Sequence, residues 1–389
     1  MEKETVTRRY DLDWLRVLAI LTIFIYHTMR FFNSESWHVK NETTYFIMDV
    51  LETILANWIM AFIFTISGAS LFYALGKGSV GEFVKGKVLR LAVPLVTMGM
   101  IVFGVLQIYL DRLSHGEFGG SFLEFIPWYF QPENFAWSGV HLWYLEMLFI
   151  FSLIFLPLLR WLKCGPGQRV LGKLGNFFAS RGAVYLLALP TILCLILTDG
   201  ASFFGNTEWG GGSILTHATF FLSGFLIISH EGLQKNIQHF RWLSLALVAI
   251  LLVALFGLMV VIGEPSSGSP LLVLGRALWG LWSWSWVLAI LGFGTKHLNF
   301  KRPILSYANE AVLPFYILHH PVLLSVGYFV VRWPIPDTVK FGVIGIISFA
   351  VIMALYEFLV RRLNVIRFLF GIKLKVRTPV TSIQEVPAA

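Results

Sequence analysis

The stretch YDLDWLRVLAILTIFIYHTMRFF, residues 10–32, decides the architecture of this chain. It is long and apolar enough to cross a bilayer as a helix, which takes about 20 such residues. Yet Asp13, Arg16 and His27 lie on it, and ionisable groups inside a membrane are costly and mark functional sites. His27 and Arg30 interrupt the apolar run and no small-residue cleavage site follows, so the segment reads as a retained first helix rather than a signal peptide.

The same kind of stretch recurs along the chain. Residues 12–32, 48–75, 91–110, 140–162, 183–198, 213–229, 242–262, 271–293, 312–331 and 339–360 are each apolar over membrane length. Over the whole chain 57% of residues are hydrophobic and 13% charged, with 35 Phe, 14 Trp and 12 Tyr and a mean hydropathy of +0.73. Soluble domains carry about 25% charged residues, so too little polar surface is present to coat a globule of this size in water. A soluble enzyme is excluded, and so is a disordered chain, which needs low hydrophobicity. Ten spans leave short connections and no room for a large extramembrane domain. Cys164 falls in a basic loop and Cys194 in an apolar segment, so neither a disulfide framework nor a zinc quartet is available. No P-loop, G-x-S-x-G elbow or HExxH pair occurs, which removes support for ATP-driven pumping and zinc proteolysis.

The net charge of +8 is read by loop rather than as a nucleic-acid surface. Lys and Arg crowd the N-terminus, alternate connections (Lys77 to Arg90, Arg160 to Arg181, Lys235 to Arg241, Lys296 to Arg302) and the tail. The opposite loops hold little more than Lys40, Arg112, Arg332 and Lys340. This positive-inside pattern puts both termini in the cytoplasm, and an odd number of spans would place the basic tail outside. The expectation is an all-α polytopic membrane protein, a bundle of about ten transmembrane helices. A single transmembrane domain is expected over residues 1–365, with a basic then polar tail over 366–389. The outer segments 31–46, 111–139 and 201–212 carry Trp, His and acidic residues. They suit a carbohydrate as well as they suit plain interfacial anchoring.

Arg16 and His27 are eleven residues apart, close to three helical turns, so they share one face about 16 Å apart along the axis. That stripe offers an anion clamp near the cytoplasm and, higher up, an imidazole suited to take a proton from a hydroxyl. Alone, each has a structural reading: Arg16 snorkelling to the interface, His27 making a buried hydrogen bond. Lys87 and Arg90 stand three residues apart at the cytoplasmic start of the third helix, with Lys85 beside them. They suit the phosphates of a cytosolic cofactor, and equally a topogenic basic loop. His319 and His320 lie mid-span beside Pro321. Adjacent helical residues point about 100° apart, so the two do not share a metal, and one is expected to face inward while the other packs. Pro321 is expected to break the hydrogen-bond ladder beside them, and a helix-kinking proline in a membrane often marks a cavity. His141, Trp143 and Glu146 in the fourth span, Tyr316 in the ninth and Glu310 before it complete the set. Glu357 is expected to pair with Arg361 or Arg362, and Trp279, Trp282 and Trp286 to pack. Ser67-Gly68 and Ser223-Gly224 echo one another in the second and sixth spans.

Taken in order, Asp13-Trp-Leu-Arg16 with His27, Ile66-Ser67-Gly68, Lys87-Val-Leu-Arg90-Leu-Ala-Val-Pro94, His141-Leu-Trp143-Tyr-Leu145 and Tyr316-Ile-Leu-His319-His-Pro321 resemble the acyltransferase-3 family of integral membrane proteins. Trp37-His38-Val39 and the His-Leu-Trp-Tyr-Leu run resemble its glucan biosynthesis protein C branch. The resemblance covers about residues 10–360. It implies about ten helices and transfer of an acyl group, acetyl or succinyl, from cytosolic acyl-CoA to a hydroxyl of an extracytoplasmic glycan or lipid-linked sugar. It implies a bacterial inner membrane, no metal, and room for a homodimer. Carried over, His27 matches the essential histidine, with Arg16 and Asp13 as its partners. Lys87 and Arg90, with Lys85, match the donor-binding pair, although Lys for the first Arg keeps the charge and loses the bidentate fork. His141, Trp143, Glu146, Tyr316 and His319 are the expected substrate-binding residues. Transfer is open between His27 as a general base and as an acyl relay. The rival reading is a secondary transporter or flippase, for which intramembrane ionisable groups are equally expected.

Overall fold

The computed structural model describes residues 8–75, 78–197, 213–263, 265–266 and 269–375; the outer segment 201–212 lies outside them. Among the described residues every regular element is helical, as a bilayer requires of a chain that cannot satisfy its backbone with water. Seven helices are long and apolar enough to cross a membrane: Tyr10–Met29 (α1), Phe46–Ala74 (α2), Val80–Ser114 (α3), Arg241–Ile262, Pro270–His297, Pro303–Val330 and Asp337–Val360. Val140–Ile154 followed by Leu156–Leu162 is bent by 56°, and Ile214–Ser229 followed by Glu231–His239 by 105°, which raises the count to nine if each pair is one span. Ala183–Leu197 is a shorter apolar helix. Each of the ten apolar stretches of the sequence thus coincides with a helix, and the protein is an integral membrane protein.

Both described ends lie on one face of the bundle. Trp14 Nε1, at the start of α1, donates to Phe300 O at 3.1 Å. Arg367, in the short helix Asn364–Leu369, reaches Glu310 at the start of Pro303–Val330 at 2.7 Å. Gly371, with φ +66°, lies against Arg90 O, and a Cβ there would come within 2.6 Å of that oxygen. Around Pro94 the helix α3 widens into π turns over Val88–Ala92 and Leu95–Phe103, a distortion common at functional sites.

The Ser-Gly echo is a contact. A Cβ on Gly68 would lie 1.8 Å from Phe221 O, and one on Gly224 would lie 1.9 Å from Thr65 O. The two glycines let α2 and Ile214–Ser229 meet backbone to backbone, the small-residue packing that membrane helices use in place of a hydrophobic drive. The helix Pro303–Val330 runs on through Pro321, and the break lies in the hydrogen-bond ladder, as the sequence led one to expect: Ile317 O is left without its i+4 donor.

Candidate active site

At the face opposite the two ends, a cavity of about 830 Å³ is lined by α1, α2, α3, the start of Val140–Ile154, residues of Pro303–Val330 and the loop 133–138. An amphipathic helix, Phe122–Tyr129, begins with a capping box from Ser121 and Glu124 and leads into that loop. Both bonds to Ser121 hold the Glu124 carboxyl below its ordinary range. The chain then turns through Gly139 (φ +68°) and Val140 (φ +56°). A β-branched residue at positive φ is strained, and strain of this kind clusters at functional sites. Here it delivers His141.

Five imidazoles converge on the cavity, and their hydrogen bonds fix which nitrogen of each carries a proton. His319 Nδ1 is 2.5 Å from Tyr316 O; a carbonyl only accepts, so Nδ1 is protonated and Nε2 is an acceptor. His27 Nδ1 lies 3.1 Å from that Nε2 and therefore donates. The remaining lone pair of His27, on Nε2, has no hydrogen-bond partner among the described residues, and the ring lines the cavity. His141 Nε2 donates to Ile317 O at 3.1 Å, the carbonyl that Pro321 leaves free, and its Nδ1 is buried without a partner among the described residues. Gln107 gives its amide N–H to Phe103 O at 2.8 Å, so its Oε1 accepts from His320 Nδ1 at 2.6 Å. His141 and His320 stack at 4.9 Å and 8°. His38 Nδ1 donates to Asp111 Oδ1 at 2.9 Å. Trp37 stacks on His27 with ring centroids 6.1 Å apart. Among the described residues no three His, Cys, Asp or Glu side chains are arranged to hold a metal ion.

Of the residues singled out from sequence, His27, His141, Trp143, Glu146 and Tyr316 line the cavity. Glu146 Oε2 is buried without a partner, and the Tyr316 hydroxyl donates to His141 O at 2.7 Å. His319 stands behind His27. Both His319 and His320 are buried: His320 faces the cavity against Gln107, and His319, the one expected to bind substrate, packs behind His27 and does not line the cavity. Asp13 and Arg16 lie at the other end of α1, where Asp13 meets Arg8 at 2.9 Å and Arg16 at 3.5 Å. Arg16 Nη2 also donates to Ser70 Oγ at 2.7 Å. Lys87 lies over the Phe83 ring at 5.4 Å, while Lys85 and Arg90 are exposed; none of the three lines the cavity. Glu357 pairs with Arg361 at 2.9 Å, and Trp282 is buried with its Nε1 donating to Val248 O at 3.1 Å.

Between the two ends runs a file of polar groups. Ser67 Oγ and Tyr144 OH are 2.5 Å apart, one helical turn from Ser70 and His141 respectively, and the Tyr144 ring is 5.8 Å from Tyr316.

Sequence reasoning passed over Gln107, Asp111 and the Tyr26–Glu52–Arg30 group, in which Tyr26 OH donates to a buried Glu52 at 2.7 Å and Arg30 approaches it at 3.4 Å. Gln107 was open to the rule that found Arg16: a polar side chain inside an apolar span.

The model of the acyltransferase domain matches residues 9–357. The chain is 24% identical over 399 aligned residues to "Glucans biosynthesis protein C" of Salmonella heidelberg (strain SL476), covering 97% of this chain and 98% of that one. Proteins of the same name from Salmonella typhi and Salmonella agona (strain SL483) are 23% identical over the same coverage. No solved structure matches. With a match over nearly its whole length, and with the motif residues gathered around one cavity and the polar file below it, the chain belongs to the acyltransferase-3 family and is a membrane acyltransferase.

Proposed function

We propose that the protein takes an acetyl or succinyl group from acyl-CoA at the basic face and delivers it through His27 to a hydroxyl of a glycan or lipid-linked sugar in the cavity. The observation that carries this reading is the lone pair on His27 Nε2. It is set by the chain Tyr316 O, His319, His27 and turned to a cavity of about 830 Å³, on the same helix as Arg16.

The two substrates differ in where they can go. A nucleotide with several phosphates stays where cations and water are, and Arg16, Lys87 and Arg90 supply charge at the face that carries both chain ends. The narrow pantetheine arm can follow Ser70, Ser67, Tyr144 and Tyr316 toward His27. A sugar needs hydroxyl partners and apolar ring faces. The cavity has both, in Trp37, Trp143, Trp137 and Phe135 with Glu146, Asn134 and Ser138. The relatives named for glucan biosynthesis make a glucan the acceptor of first choice. Both ends on one face call for an even number of crossings; with Ala183–Leu197 as a span the count is ten, and the basic loops then put both termini in the cytoplasm of a bacterial inner membrane.

A base positioned at the reacting hydroxyl contributes about 10²–10⁴ in rate. The test is mass spectrometry of envelope glycans from cells with the wild-type protein, with His27→Ala and with neither. A mass increment present only with the wild type names acyl group and acceptor together. An unchanged increment with His27→Ala refutes the assignment.

A further inference from the structure

We propose that His38, held by Asp111, is the base that takes the proton from the acceptor hydroxyl, while His27 carries the acyl group between donor and acceptor. This rests on the reading above and divides its chemistry between two side chains.

Among the described residues three imidazoles of the cavity wall, His27, His38 and His320, are bonded through Nδ1 and keep Nε2 open, and their supports differ: His320 rests on the neutral Gln107 amide. His27 is backed by a second imidazole and then by a backbone carbonyl, so no negative charge stands behind it. His38 is backed by a carboxylate, Asp111 Oδ1 at 2.9 Å, with side-chain exposures of 24% and 25%. His115, the other imidazole near Asp111, is 3.8 Å from the carboxylate and gives its Nδ1 to Asp111 O at 2.8 Å. The carboxylate is therefore chiefly the partner of His38.

An imidazole that accepts a proton becomes a cation, and a buried cation is costly unless a counter-charge is bonded to it. Asp111 supplies that counter-charge to His38 and fixes its tautomer, as carboxylates do for catalytic histidines elsewhere. Partial exposure lets the proton leave for water after each turnover. His27 has neither provision. Its fixed and unpartnered lone pair fits a nucleophile, and once that lone pair is acylated it cannot also serve as a base.

The steps balance. His27 Nε2 attacks the thioester carbon, the C–S bond breaks, and the thiolate leaves and is protonated by water. The positive charge of the acylated ring is shared with His319 through the Nδ1–H bond. The acceptor hydroxyl then gives its proton to His38 Nε2 as its oxygen attacks the acyl carbon. The C–N bond breaks, its electron pair returns to His27 Nε2, and His38 releases the proton to water.

The experiment uses the purified full chain with radiolabelled acetyl-CoA or succinyl-CoA, whichever the wild type turns over, and a glucan oligosaccharide as acceptor. His38→Gln is expected to release about one thiol per protein in a burst and to keep the label on the protein. Ester formation should fall about 10²–10⁴-fold with the donor KM unmoved, and added imidazole should restore part of it, which a structural role would not show. Asp111→Asn should keep the burst and lower kcat in the same direction, and it serves alone if His38→Gln does not fold. Wild-type ester formation in these variants, or loss of the burst together with the ester in folded protein, overturns the proposal. Thiol release that persists in His27→Gln overturns the underlying reading instead, whatever His38 does.

Discussion

The two ends of α1 hold their functional groups in opposite ways. At the basic end Arg16 shares Asp13 with Arg8 and reaches Ser70, and Lys85 and Arg90 stay exposed. At the cavity end His27 is bonded to another ring, and its neighbours are tied to Tyr316 O, Ile317 O and the Gln107 amide. The difference is one of range. A cation attracts phosphate over several ångströms and tolerates displacement, but salt screens it. A tautomer is set by one hydrogen bond and is either right or wrong. Substitutions at the basic end should therefore move KM for the donor, and substitutions at the cavity end should move kcat.

The largest expected effect is that of His27→Ala: acyl transfer is abolished while the protein still elutes as a folded species and inserts. Turnover in that variant, followed by thiol release and ester formation, would break the comparison at its cavity end. His319→Ala comes next. It leaves His27 Nδ1 without its acceptor and frees the tautomer, so kcat is expected to fall about 10²-fold, the loss that misplacing a reacting group brings, with the donor KM held. Arg90→Gln should do the reverse. The donor KM rises about tenfold, equivalent to 1.4 kcal/mol, kcat changes little, and the wild-type KM itself climbs with ionic strength as the variant's does not. A kcat effect at Arg90, or a KM effect at His319, would erase the distinction between the two ends.

Much of this was legible in the sequence. The ten apolar stretches coincide with helices because hydrophobic length is a direct consequence of the bilayer. Arg16 and His27 declared themselves by their cost inside an apolar run. What was not legible depends on contacts across the chain. His320 meets Gln107 213 positions away in sequence, so which of the two adjacent histidines faces the cavity is set by a partner that helical spacing does not reveal. His38 and Asp111 sit in outer segments rich in anchoring residues, where a catalytic pair carries no distinguishing mark. Asp13 was grouped with His27 because they share a helix, yet its ion pairs belong to the other end.

The smallest effect tests how the cavity end is held in register. Pro321 breaks the ladder of its helix and so leaves Ile317 O for His141 Nε2. Pro321→Ala restores an N–H four residues beyond that carbonyl, in a helix whose path already accommodates it. The new donor competes with His141, although a carbonyl has two lone pairs and can keep both. The contested bond is worth about 0.5–1.5 kcal/mol, so the expected loss is about 2–10-fold in kcat, with thermal stability unchanged or slightly raised and the donor KM unmoved. A steady-state comparison of Pro321→Ala with His141→Ala then says how orientation is set. If the proline variant matches the wild type while the histidine variant is impaired, the strained Gly139–Val140 turn alone orients His141, and the freed carbonyl merely receives it.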